Sequence, residues 1–135
     1  MLKIKNSELT ESTKTAFAEL LNINLPVSLS WKIAKVAKDI DSLISLKRET
    51  INNLIKKHSE KDKDGNMVIA KDDEGNEIPN ATKIVDPKAY NKEIEDFEEL
   101  ENEINFEPIS ISVIEEKNDT IKPSILFNLS FLFTD

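Results

Sequence analysis

Residues 28–58 read SLSWKIAKVAKDIDSLISLKRETINNLIKKH, and this stretch decides the fold. Ile33, Ala37, Ile40, Ile44, Lys47, Ile51, Leu54 and His58 succeed one another at alternating steps of four and three residues. That spacing keeps them on one side of an α-helix. Val36, Leu43 and Ile55 widen the stripe to the breadth that packs against other elements. Neither Gly nor Pro interrupts it. At ~1.5 Å per residue the helix from Ser28 to His58 is a rod of roughly 46 Å. That is too long for a small core and calls for a partner along its length.

The flanks supply candidates for that partner. Leu2–Lys5 alternates apolar and polar residues and predicts a short strand. A helix is expected from Glu8 to Asn22, with Ser7 as N-cap, Glu11 near the capping-box position, and Phe17, Leu20 and Leu21 on its apolar face. Pro26 stops it, and Ser28 or Ser30 can cap the long helix. From Ser59 to Asp86 the chain turns polar. Asp64-Gly65-Asn66 and Glu74-Gly75-Asn76 are turn signals, and Met67–Ala70, Ile78 and Lys83–Val85 are short and β-prone. This predicts an exposed β-ribbon, or a loop, at the tip of a helical hairpin.

Asp86-Pro87 reads as an N-cap followed by Pro at the first helical position. The helix it opens, expected over Asp86–Glu107, places Tyr90, Ile94, Phe97, Leu100 and Ile104 on one face and pairs antiparallel with the second half of the long helix. Pro108 ends it. Ile109–Val113 alternates as a half-buried strand whose natural partner is Leu2–Lys5, which would tie the chain ends into a small sheet. In the tail, Ile125, Phe127, Leu129, Phe131 and Phe133 fit a strand, while Ile125, Leu126, Leu129, Leu132 and Phe133 fit a helix, and Pro123 leans toward helix. The expected fold is therefore α+β and a single domain over residues 1–135.

Composition narrows the chemistry. The chain has 135 residues, of which 39% are hydrophobic and 33% charged, a balance that suits long solvent-facing helices. Two Gly exclude a Gly-rich phosphate loop, and the absence of Cys excludes disulfides, thiol catalysis and thiolate zinc sites. No apolar run reaches signal-peptide or membrane-span length, so a cytoplasmic protein without a membrane segment is expected. Asn-Xaa-Ser/Thr triplets begin at Asn80, Asn118 and Asn128, and carry no glycosylation meaning without secretion. The net charge of −8 is unevenly spread: Val27–Lys61 holds eight basic and four acidic residues, and Asp86–Glu107 two basic and nine acidic. These two segments attract each other. Direct nucleic-acid binding is disfavoured by the overall sign and by the presence of one Arg, Arg48, among the basic residues.

No catalytic, cofactor or metal motif emerges, and an enzyme is not expected. Asp62, Asp64 and Gly65 match positions 3, 5 and 6 of a calcium loop, but its twelfth position is Lys71, where a bidentate Glu is needed. The turn around Asp72, Glu74 and Gly75 ends on Ala81 and fails in the same way. His58 is the sole His, at a helix end where an imidazolium suits the dipole. The acidic run Glu93–Glu103 lacks a nucleophile beside it; it reads as a solvated face pairing with the basic helix, or as a mimic of nucleic-acid phosphates. Trp31, at the entrance to the long helix, is expected in the core rather than as a ligand platform, although it and Tyr90 are the best stacking side chains available. Trp31, Ile33, Val36, Ile40, Phe127 and Phe131 form the candidate interface of a homo-oligomer, because the long helix outruns its shorter partner and the tail brings apolar surface of its own.

The segments LPVSLSWKIAKVAKDI, KDKDGN, DPKAYNKEIEDFEELENEI, EPISISVI and KPSILFNLSFLF follow in an order that resembles a family of small uncharacterised proteins encoded by tailed phages and prophages of low-GC bacteria. Leu25-Pro26, Ile33-Ala34-Lys35, Asp64-Gly65, Tyr90, Leu100 and the apolar terminus carry the resemblance, which covers most of the chain. It implies phage origin and a terminal helix, and no catalytic residues to carry over. The insert Lys71–Thr82 is longer than the pattern expects. The Lys, Asn and Ile bias matches an AT-rich genome. The expected function is that of a phage accessory protein acting by non-enzymatic binding, inhibiting or sequestering a host or anti-phage defence component, with a host protein or a small nucleotide as its ligand. The alternative is a virion or assembly component, or a prefoldin-like holdase by analogy of architecture.

Overall fold

A computed structural model describes residues 2–113 and 121–134, so Asn118 lies outside the described residues. The fold is α+β. In chain order its elements are β1 (Leu2–Lys5), a 3-10 turn (Asn6–Glu8), α1 (Glu11–Leu21), α2 (Val27–His58), β2 (Ile69–Lys71), β3 (Glu77–Thr82), α3 (Pro87–Glu98), β4 (Glu101–Ile104), β5 (Ile109–Ser110), α4 (Pro123–Asn128), a second 3-10 turn (Ser130–Leu132) and β6 (Phe133–Thr134). The described residues fall into two compact units, one from Met1–Leu46 and Glu99–Asp135, the other from Lys47–Glu98.

The first unit holds the core. Ile33, Val36, Ile40 and Ile44 of α2 are buried together with Ala16, Phe17 and Leu20 of α1, Leu2 and Ile4 of β1, Ile104, Phe106, Ile109, Ile125, Leu129 and Leu132. The α1 cap is Thr10, whose Oγ1 accepts a hydrogen bond from Thr13 N at 3.2 Å. Ser7, the expected cap, lies in the preceding 3-10 turn. Likewise α2 begins at Val27 directly after Pro26, with Ser30 N donating to Pro26 O at 2.9 Å, so Ser28 and Ser30 are helical rather than capping.

Strand β1 does find a partner, but a different one from that expected. It pairs antiparallel with β4, in the register Leu2↔Ile104, Lys3↔Glu103, Ile4↔Asn102 and Lys5↔Glu101. The helix expected through Glu107 therefore ends at Glu98, and Leu100 lies exposed after it instead of on an apolar helix face. The physical reason is charge. A continued helix would stack Glu95 on Glu99 and Glu99 on Glu103 at i,i+4, and would crowd carboxylates at its negative C-terminal end. As a strand, Glu103 and Glu101 instead face Lys3 and Lys5. Asn102, on the buried side, donates from Nδ2 to Ile4 O at 3.1 Å and to Asn6 Oδ1 at 2.8 Å.

The expected strand Ile109–Val113 is confined to β5, which runs parallel to β6 and not beside β1. The tail resolves as the short helix α4, entered at Pro123. Ile125 and Leu129, one helical turn apart, are buried, while Phe127 between them is exposed.

The second unit comprises the end of α2, the ribbon and α3. Strands β2 and β3 pair antiparallel with an irregularity in register between Ile69 and Lys71. The two five-residue turns DKDGN and DDEGN are built alike: Asp62 Oδ1 accepts from Asp64 N and Asn66 N at 2.9 and 3.0 Å, and Asp72 Oδ1 from Glu74 N and Asn76 N at 3.0 and 2.9 Å. Gly65 and Gly75 take φ of +83° and +84°, where a Cβ is strained. Asp86 caps α3 as expected, accepting from Lys88 N and Ala89 N, each at 3.2 Å. No apolar side chain among this unit's described residues reaches full burial; Ser59 is its one buried residue, hydrogen-bonded to Ile55 O and Thr82 Oγ1.

Candidate functional site

The inward stripe of α2 fixes what its other side presents. Trp31 stands two residues before Ile33, which rotates it by roughly 200° around the helix axis. Ile33 is 0% exposed and Trp31 65%. Lys35 and Asp39 follow Trp31 at steps of four and share its side of the helix. Opposite them run Asn105, Phe106 and Glu107, the residues that follow β4. Together with Ser28, Lys32 and Val36 these side chains line an open recess of about 630 Å³.

The recess combines three chemistries. Trp31 offers an exposed indole. Lys32 holds its Nζ 4.9 Å from the centre of the buried Phe106 ring, a cation–π contact that fixes the ammonium at the recess wall. Among the described residues, neither Lys32 nor Lys35 makes an ion pair, and neither Asp39 nor Glu107 does so. Two cations and two carboxylates are thus left free to meet a ligand beside an aromatic surface.

Of the six candidate interface residues, the structure keeps few at the surface. Ile33 and Ile40 are core residues, and Val36 is buried at the edge of the recess. Phe131 is half-buried, with its ring 6.3 Å from that of Phe17. Trp31 and Phe127 stand exposed. The sequence reading grouped Trp31 with the inward residues Ile33, Val36 and Ile40, although its helical phase differs from theirs. Phe106 carried no such signal, because its meeting with Lys32 joins segments far apart in the chain.

A second polar cluster lies in the Lys47–Glu98 unit. Glu93 Oε1 is 2.8 Å from Lys57 Nζ, and its Oε2 is 3.1 Å from His58 Nε2, an ion-pair distance at which the two form no hydrogen bond. The Lys57 hydrogen bond, and then the nearness of His58, hold the Glu93 carboxyl below the usual range. The Tyr90 ring meets the His58 ring edge-on with centroids 5.6 Å apart. His58 therefore turns to a carboxylate and an aromatic ring on α3. Lys47 and Glu98 form a further pair at 3.4 Å. These groups fasten α2 to α3 and line no cavity described for the unit.

Among the described residues no three His, Asp or Glu are grouped to hold a metal ion, and no helix is long and apolar enough to cross a membrane. No protein-family model, curated protein or solved structure matches the chain.

Proposed function

We propose that this protein acts by binding rather than by catalysis, as a phage accessory protein that occupies a host or anti-phage defence component through the Trp31 recess. The supporting observation is the recess itself: an indole 65% exposed at the edge of a cavity whose charged side chains have no ion-pair partners among the described residues. A large aromatic left in water costs hydrophobic free energy, and such residues dominate binding energy where they occur. Self-association belongs to the same reading, with Phe127, 82% exposed, as its contact residue. So does a helical hairpin of α2 and α3 carrying the ribbon at its tip. The pairs Lys47–Glu98 and Lys57–Glu93, in which numbers rise on one helix as they fall on the other, support the antiparallel sense.

The test is affinity purification from the bacterium that hosts the phage, with wild type and Trp31→Ala side by side. A host component captured in fixed ratio by the wild type, and at least about tenfold less by Trp31→Ala, is expected for an aromatic anchor. Equal capture by both proteins, or recovery of this chain at fixed stoichiometry in purified virions, overturns the reading in favour of a structural component.

A further inference from the structure

Resting on the binding reading above, the outer face of α2 names the chemistry of a partner. We propose that it takes an acidic amphipathic helix of another protein, laid along α2 from Trp31 to Leu46. The four buried residues of α2, Ile33, Val36, Ile40 and Ile44, fall within roughly 80° of the helix circumference, at about 100° per residue. Val27, Trp31, Lys35, Lys38, Ser42 and Leu46 lie within about 60° of the opposite direction. All six are exposed, Val27, Trp31 and Leu46 to 85%, 65% and 57%. Trp31 and Leu46 are roughly 22 Å apart along the axis, a little over four turns. A docked helix repeats its apolar anchors at such turn spacings, and this gives the partner its shape.

The charge of the stripe gives the partner its sign. Between the two apolar anchors stand Lys35 and Lys38, neither of them in an ion pair among the described residues. The carboxylates of this part of α2, Asp39 and Asp41, sit on its flanks, roughly 75–85° from the centre of the stripe. Asp41 is held there by Lys14 at 3.4 Å. A chain of net charge −8 thus carries a basic and apolar strip. Carboxylates beside the apolar residues of a docked helix meet the two ammonium groups while those residues cover Trp31 and Leu46. A second copy fits less well. Its α2 brings lysines against lysines, and its α3, though acidic, exposes no large apolar side chain. A nucleic-acid strand supplies negative charge but is repelled by the rest of the chain.

Trp31 is the sole Trp of the chain, so its fluorescence reports on this face. The experiment titrates the full-length protein with a synthetic helix of about 18 residues, five turns, with Leu along one stripe and Glu on both flanks. The control is its twin, in which Lys replaces Glu. A saturable shift of the emission to shorter wavelength is expected with the Glu peptide, at an affinity at least about tenfold above that of the Lys twin. Lys35→Glu combined with Lys38→Glu should reverse the preference, and Leu46→Ser should weaken the Glu peptide at least about fivefold. Far-ultraviolet circular dichroism confirms that each variant is folded. Equal affinity for the twins, or no saturation at millimolar peptide, overturns the proposal. So does a shift that follows protein concentration alone, which marks a second copy on this face. A shift produced by phosphatidylglycerol vesicles and not by the Glu peptide overturns it in favour of a membrane. If Trp31-dependent capture of a host component persists in those cases, the partner class alone is wrong; if it fails too, the binding reading falls with it.

Discussion

Glu93 lies within ion-pair distance of both Lys57 and His58, and its behaviour with pH follows from that placement. Its carboxyl titrates below its ordinary value because the Lys57 hydrogen bond, and then the nearness of His58, favours the charged form. The folded state therefore gains stability from Glu93 above its ordinary value of about 4.3, and loses it as the pH falls through the lower folded value. Lys5 is the mirror case. Its hydrogen bond to Glu99 raises it, so its contribution is full below the ordinary lysine value and fades as the pH rises through the folded one. In urea titrations the unfolding midpoint of the wild type should fall more steeply below about pH 4.3 than that of Glu93→Gln, which has no carboxylate to protonate. Parallel curves for the two proteins would show that the pair contributes nothing to folding. Beforehand only the attraction between the basic and the acidic segment was legible. The sequence shows a lone His and an acidic run, but which Glu meets which cation depends on how two helices pack, and periodicity carries no such information.

At the level of elements, what could be read was whatever is encoded locally. The long helix was expected over Ser28–His58 and spans Val27–His58. The Asp86-Pro87 start of α3 and the Gly65 and Gly75 turns followed from residues that act on their own backbone. What failed was the stretch Glu101–Ile104, where Leu100 and Ile104 fit a helical step while Glu-Asn-Glu-Ile equally fits a strand. Only the distant strand β1 decides between the two, through its lysines, its apolar residues and its backbone, and strand partners are long-range choices that no window contains. The ribbon poses the opposite case, being locally encoded and weakly anchored. Ile69 and Ile78 are 46% and 40% exposed, so its strands bury little. Ser59 pairs with Ile84, and Lys61 with Met67, in single bridges near its base. Replacing Asp62–Ala81 with Asn-Gly, keeping Thr82 as the partner of Ser59, should change stability by less than about 1 kcal/mol, and the melting temperature by only a few degrees. A drop well beyond that in a circular-dichroism melt would mean that the ribbon is part of a core or an interface.

Across the whole molecule, full burial of apolar side chains is confined to one of the two units among the described residues. Every buried hydrophobic lies in Met1–Leu46 or Glu99–Asp135. In Lys47–Glu98 the apolar residues of the helices, Ile51, Leu54, Ile55, Tyr90, Ile94 and Phe97, are half-buried at best. Local opening costs less where fewer apolar contacts must be broken, so the two units should open with different free energies. The helix α2 makes the comparison internal, because it runs unbroken from Val27 to His58. The packing along it differs between its two ends. Ile33, Val36, Ile40 and Ile44 are 0–5% exposed, whereas beyond Lys47 no side chain of the helix is buried. Native-state hydrogen exchange should therefore show protection that falls along one continuous helix, with amides near Ile40 exchanging only through global unfolding and those near Leu54 through a cheaper opening that also releases α3. A separation of at least about 1.4 kcal/mol, tenfold in exchange rate, is expected between the two ends. Uniform protection from Ile33 to Ile55 would mean that the helix opens as one piece and that the half-buried contacts of the second unit hold it as firmly as the core holds the first.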